Sequence, residues 1–199
     1  MTADTTVMKM EADLREQIND PILLAAIRAV QNGDSRAFEH IMTVTERRVA
    51  LLSWRILGDA EEVKDAMQET FLRVYRHLGS FDERRDFMGW LFRIAVNVCR
   101  DRLARSRKRT RVFTDLKESE SIAAGEDIHA SLAAKQELEQ LTRAVDTLPE
   151  KERLALILRD VEQLPTEQVA QILGSRPSTV RVQIHSARAK LRKLMEHWR

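Results

Sequence analysis

"TEQVAQILGSRPSTVRVQIHSARAKLRKLM", residues 166–195, decides the fold of the carboxyl half. A short apolar-periodic segment, TEQVAQIL, is ended by Gly174, and a longer one begins within a few residues. In the longer segment Val180, Ile184, Ala187 and Leu191 recur at helical spacing, which gives a helix one inward face. A short helix, a turn containing glycine and a longer basic helix make a helix-turn-helix. From Arg176 onward the cations are Arg176, Arg181, Arg188, Lys190, Arg192, Lys193 and Arg199, against the single acid Glu196. A basic second helix after so short a turn points to DNA.

Working upstream, "EKERLALILRDV" follows Pro149 and places Leu154, Ile157, Leu158 and Val161 on one side. "LAAKQELEQLTRAVDTL" before it is helical as well, so residues 132–199 read as one small helical domain. Residues 107–131 break the pattern. They have no sustained periodicity, include "TDLKESESIAAGEDIHA", and read as a flexible acidic linker.

Beyond the linker, "MGWLFRIAVNVCRDRLARSRKR" (residues 88–109) starts as an apolar helix and ends in cations. Phe87, Leu91, Ile94 and Val98 fall on one face, while Arg93, Asn97 and Arg100 recur at i, i+4 and i+7 on another. Trp90, next to Leu91, reads as core. From Arg93 to Arg111 the cations also include Arg102, Arg105, Arg107, Lys108 and Arg109, against only Asp101. Two basic patches separated by an acidic segment suggest two contacts with one polyanion. An amide can meet a base edge as donor and acceptor, and guanidinium groups can grip phosphates beside it.

Earlier in the chain, "PILLAAIRAVQNG" is a helix started by Pro21 and ended by Gly33. The next segment has Asp34 or Ser35 as cap and an apolar face through Phe38, Ile41, Val49, Leu52 and Ile56, with Thr45 interrupting. A third helix carries Val63, Met67, Phe71, Val74 and Leu78 at helical spacing and is broken by "GSF". These helices can bury a common core over residues 20–106. Residues 1–19, with scattered charges and no apolar h-region, read as a disordered extension and not as a secretory signal.

The expected fold is therefore all-α: two small helical domains joined by a flexible acidic linker. The chain's 199 residues suit that division, and a net charge of only +2 conceals the two basic patches. The lone cysteine, Cys99, has no partner for an internal disulfide, and no zinc-ligand spacing occurs. No apolar stretch approaches the roughly 20 residues that cross a bilayer, so a cytoplasmic protein without membrane insertion is expected. His40, His77, His129, His185 and His197 are scattered; no metal-spaced carboxylates, phosphate-cradling glycine loop or nucleophile–histidine pairing accompanies them. No enzyme, metal or cofactor is expected.

Four stretches carry a resemblance: "DAMQETFLRVYRHL", "WLFRIAVNVCRDRLAR", "LPEKERLALILRDVEQLPTEQVAQILG" and "TVRVQIHSARAKLRKL". In this order, around an acidic linker, they resemble the group IV, or extracytoplasmic-function, bacterial sigma factors, the promoter-recognition subunits of RNA polymerase. The likeness runs over residues 20–198. It implies that residues 20–106 are sigma region 2, which binds core polymerase and recognises and melts the −10 element. Residues 132–199 are then region 4, a helix-turn-helix that recognises the −35 element, and the linker threads the polymerase's active-site cleft and RNA exit path. The regulon implied is one of stress or environmental response.

The resemblance also assigns residues. At the −10 element it implies Arg93, Asn97, Arg100, Arg102 and Arg105, with Asn97 as a wall of a site for a flipped base. At the −35 element it implies Ser178, Thr179, Arg181, Gln183, Arg188 and Lys190. Asp65, Gln68, Glu69 and Phe71 would dock on the clamp coiled coil of the largest polymerase subunit. The implied partners are core RNA polymerase, through its clamp and flap regions, promoter DNA and a membrane-linked anti-sigma factor.

The chain departs from the family pattern in places. Val63, Lys64 and Asp65 stand where Ala-Glu-Asp is usual, so Lys64 reverses a charge. In "GSRPSTVR", Ser175 replaces an apolar residue, Arg176 takes the place of the capping serine, and Pro177 falls at the first helical position, where proline is tolerated. Val182 and Gln183 replace a polar-basic pair; Gln183 can still read a major-groove edge, adenine best. One competing reading is a stand-alone helix-turn-helix regulator with residues 1–106 as sensor, which explains the basic tail but not the second basic patch. A sigma-like decoy would have lost the promoter-facing residues, and these mostly remain.

Overall fold

The computed structural model describes residues 21–112 and 143–196, with side chains placed except over 106–112. The expected amino-terminal extension, the linker from 113 on, the start of the helix read over 132–148, and His129 and His197 lie outside the described residues. The described elements are all helical, and the chain divides into two compact units.

The first unit contains α1 (Pro21–Gln31), α2 (Ala37–Leu57), α3 (Ala60–His77) and α4 (Phe87–Val112). Helix α2 is central and packs on the other three, while α3 also packs on α4. Leu23, Ile27, Ile41, Leu52, Val74 and Phe92 are fully enclosed at its core. The cap of α2 is not Asp34 or Ser35: Arg36 occupies the position, and Asp34 accepts a hydrogen bond from the Arg36 N–H (3.0 Å) just ahead of the helix. Thr45 does not break the apolar face. It is buried, and its hydroxyl donates to the Ile41 carbonyl at 2.7 Å, so the helix itself satisfies it.

Helix α2 stops at Gly58 in the left-handed region (φ 66°), and Asp59 at once caps α3 by accepting from the Glu62 N–H at 2.9 Å. In α3, Phe71 and Val74 are buried as expected, and Leu78 just after it is buried too. Ala66 and Thr70 complete that face, while Val63 and Met67 are only half-buried. Asp86 opens α4 by accepting from the Met88 and Gly89 N–H groups (3.2 and 2.9 Å).

The buried face of α4 is wider than its spacing suggests. Met88, Phe92, Ala95, Val96 and Cys99 are buried beside Phe87, Leu91 and Val98, and Ile94 is half-buried. The cause is that α4 packs on α2 and α3 together, which covers two adjacent stripes. Burial pushes the Cys99 thiol up to about 11, against a smaller opposing pull from a hydrogen bond with Ser53, so it stays protonated at neutral pH. Trp90 is half-buried against Phe81 and Phe87, with ring centroids 5.0 and 5.7 Å away. Residues 107–112, expected as linker, continue α4. They contain no proline or glycine, and their arginines and lysine are good helix formers.

The second unit contains a helical segment over residues 143–146, then α5 (Glu150–Leu156), α6 (Thr166–Leu173) and α7 (Pro177–Glu196). Helix α5 widens into a π-turn, Ile157–Val161, closed by the Glu162 N–H on the Ile157 carbonyl (3.0 Å). The wider turn swings Val161 outward, so it is exposed and not on the inward face expected of it. Leu154, Leu158, Val169, Val180, Ile184 and Ala187 form the core.

Between α6 and α7 the chain turns at Gly174 (φ 61°), whose N–H points at the Ala170 and Gln171 carbonyls; the Ser175 N–H reaches the Ala170 carbonyl at 2.9 Å. Pro177 is the first residue of α7, where no intrahelical partner awaits an N–H. The helix-turn-helix therefore survives the changes in its turn.

Candidate nucleic-acid interface

Helix α4 turns Arg93 and Asn97 to solvent, on the side away from its buried stripe, with Arg100 half-buried in the same row and Arg105 exposed farther along. Arg102 is not part of that row. Its side chain is only 21% exposed; Nε meets Glu62 Oε2 at 2.5 Å and Nη2 meets Asp65 Oδ2 at 2.7 Å. Burial opposes the charge on Arg102, but the hydrogen bonds to Glu62 and Asp65 together outweigh it and raise the pKa. Arg102 thus ties α4 to α3. A second tie lies nearby: Arg73 holds Glu69 at 2.7 Å and reaches Asp101 on α4 at 3.5 Å.

Those ties engage two of the residues expected to meet polymerase, Asp65 and Glu69. A third, Phe71, is 8% exposed and sets its ring edge-on against Phe38, with centroids 6.5 Å apart. It belongs to the core. Asp65 stays exposed although Arg102 holds it. Gln68 stands exposed as expected, and it is joined on the same face by Leu72 (43% exposed) and Tyr75 (44%) at i+4 and i+7. Sequence reasoning passed over these two. Their signal was that neither falls on the Phe71–Val74–Leu78 stripe.

On α7, Ser178, Arg181, Val182 and His185 form an exposed row at i, i+3, i+4 and i+7, with Thr179 exposed beside it. Gln183 lies elsewhere. It flanks the buried Val180–Ile184 stripe, is half-buried, and its Oε1 is enclosed with no hydrogen-bond partner in the structure. Arg188 and Lys190 are also committed. The Arg188 guanidinium makes a bidentate pair with Asp160 (2.9 and 2.6 Å), which raises its pKa. The Lys190 ammonium sits on both carboxylate oxygens of Glu152 (2.9 and 2.8 Å). Arg181 is held loosely, 3.4 Å from Glu167 across the turn.

Among the described residues no cluster of His, Cys, Asp and Glu is placed to hold a metal ion. No helix among them is long and apolar enough to cross a membrane.

Comparison with known proteins gives both units the same ancestry. Residues 41–110 match the family "Sigma-70 region 2", and residues 138–191 match "Sigma-70, region 4". The ECF RNA polymerase sigma factor SigW of Bacillus subtilis is 31% identical over 177 residues, covering 84% of this chain and 93% of SigW. The ECF RNA polymerase sigma-E factor of Escherichia coli K12 is 34% identical over 182 residues, covering 88% of this chain and 93% of that protein. Among solved structures, CnrH in complex with the cytosolic domain of CnrY is similar at a TM-score of 0.63 and 25% identity, covering 89% of this chain and 99% of CnrH. A stand-alone regulator would not match one family's two regions in their proper order. The chain belongs to the extracytoplasmic-function sigma factors of the sigma-70 family, and it is a promoter-specificity subunit of RNA polymerase.

Proposed function

We propose that this sigma factor divides its contacts among three exposed helix faces. Gln68, Leu72 and Tyr75 of α3 meet the clamp of core polymerase. There an amide and two half-exposed apolar groups suit a docking surface better than the buried Phe71 does. Arg93, Asn97 and Arg100 of α4, with Arg105, hold the −10 element; Ser178, Thr179 and Arg181 of α7 hold the −35 element. Asp65 acts mainly by fixing α3 on α4 through Arg102, and Glu69 by holding the Arg73 that reaches Asp101, so that polymerase and DNA meet surfaces of one rigid pair.

The observation that carries this reading is the row Arg93–Asn97–Arg100 on the solvent side of a helix whose other side is core. Extruding a base from a duplex costs a few kcal/mol, and a site that holds the base outside the stack recovers that cost only in the open state. An exposed amide between cations suits that role, because it can pair with a base edge while its neighbours grip phosphates. The protein makes or breaks no covalent bond in this scheme. It works in the cytoplasm with polymerase, as a binding subunit and not an enzyme. CnrH is bound by the cytosolic domain of CnrY; a membrane-linked anti-sigma factor is the corresponding partner proposed here.

The test is co-purification with core RNA polymerase, followed by sequencing of the promoters that the complex retains. The holoenzyme is expected to select promoters sharing one −35 and one −10 motif, while the chain without polymerase selects none. Recovery of the same promoters by the chain alone would overturn the proposal.

A further inference from the structure

Val182 is 68% exposed, the highest value among the large hydrophobic residues described. It stands in the middle of the solvent row of α7, between Ser178 one turn before and His185 one turn after, with Arg181 adjoining. Folding does not explain it, since the core of this unit is supplied by Val180, Ile184 and Ala187 on the opposite side. Helix formation does not explain it either, because a β-branched residue is a poorer helix former than most alternatives at an exposed site.

We infer that Val182 reads the C5-methyl group of a thymine in the −35 element. The inference rests on the proposal that α7 is the −35 helix. In a helix-turn-helix the amino-terminal part of the second helix faces base edges, and Val182 lies in that part, within the first two turns after Pro177. The major groove offers one apolar group, the thymine methyl, and a small apolar side chain is its complement. The groove's negative flanks suit the surroundings, for α7 is rich in cations along its outer length. Valine in a helix has essentially one χ1 rotamer, so its methyls are already fixed before DNA arrives. Gln183, turned inward, agrees with this assignment. The adenine reading expected of that amide is not offered by the exposed row, and its neighbour Val182 is the side chain presented to the groove.

The experiment scans the −35 element of a promoter retained by the holoenzyme, replacing each thymine in turn by uracil. This removes the methyl and keeps every hydrogen-bonding group. One replacement is expected to weaken holoenzyme binding about fourfold, as loss of one buried methyl does. The Val182→Ser holoenzyme, checked for unchanged melting temperature and unchanged affinity for core polymerase, should bind thymine and uracil versions equally. The inference is overturned if no uracil substitution matters, if Val182→Ser keeps the wild-type difference, or if the selected −35 motif has no thymine. Loss of all −35 preference in the wild type would instead overturn the assignment of α7 itself.

Discussion

Asn97→Ala leaves the sigma factor folded and able to join core polymerase, yet lowers promoter opening at the −10 element by about tenfold or more. Folding is spared because Asn97 is exposed on the far side of α4 from the core. Alanine is also the better helix former, by some tenths of a kcal/mol. Closed-complex formation is expected to persist, since on the proposed reading it depends on the −35 contacts and on phosphate grips by the neighbouring arginines. Opening suffers because unpairing a base costs a few kcal/mol, and about 1.4 kcal/mol of lost compensation is already a factor of ten. Permanganate footprinting of exposed thymines on wild-type and mutant complexes measures the difference. A template pre-melted across the −10 element should recover most of the activity while base selectivity stays relaxed. Equal opening in the two proteins would make Asn97 a plain surface amide and move base capture to the loop at residues 80–86.

Phe71 and Leu72, adjacent in sequence, should fail in opposite ways. Phe71→Ala removes a nearly buried ring from its contact with Phe38 and is expected to cost about 3–5 kcal/mol of stability. Much of a small domain's stability is of that size, so urea unfolding followed by circular dichroism should show a large fall in midpoint. Leu72→Ser combined with Gln68→Ala should leave the midpoint nearly unchanged, because both side chains are exposed. The same double variant should weaken association with core polymerase about tenfold or more, as loss of a central apolar contact does. Wild-type affinity in that folded double variant would show that the clamp meets another face.

That pair of residues also shows how far the sequence reaches. The helices, the glycine turn at Gly174 and the proline start of α7 were legible because each follows from local chemistry: spacing, backbone freedom, a missing N–H. The row Arg93–Asn97–Arg100 was legible for the same reason, since i, i+4 and i+7 share a face whatever the tertiary packing. The choice between Phe71 and Leu72 was legible only in part: Phe71 falls on the apolar stripe and Leu72 does not, but that α2 encloses Phe71 against Phe38 and so removes it from any docking surface belongs to the packing. Arg102 reads as one more cation in a basic run until α3 brings Glu62 and Asp65 against it. Gln183 reads as groove-facing until the rotation of α7 about its axis is known. Val161 is carried off the inward face by the π-turn that ends at it, a widening that the spacing of the apolar residues does not show. Ties and rotations of this kind belong to pairs of helices, and a helix read alone carries no sign of them.

The pairs Arg188–Asp160 and Lys190–Glu152 have a thermodynamic consequence. A bare cation that reaches DNA displaces a condensed ion from the phosphates, and the entropy of the released ion drives binding. Here two cations of α7, the helix proposed to meet the −35 element, carry their own carboxylate counterions, built into the neighbouring helical segment. Each is already paired with a carboxylate before DNA arrives, so each is expected to release less than a bare cation would. Each phosphate contact normally adds about 0.9 to the slope of log affinity against log salt. A tally of cations along α7 would therefore overstate that slope by roughly two such steps. On the proposed assignment of α7, binding at the −35 element is then expected to be correspondingly less sensitive to the ionic strength of the cell.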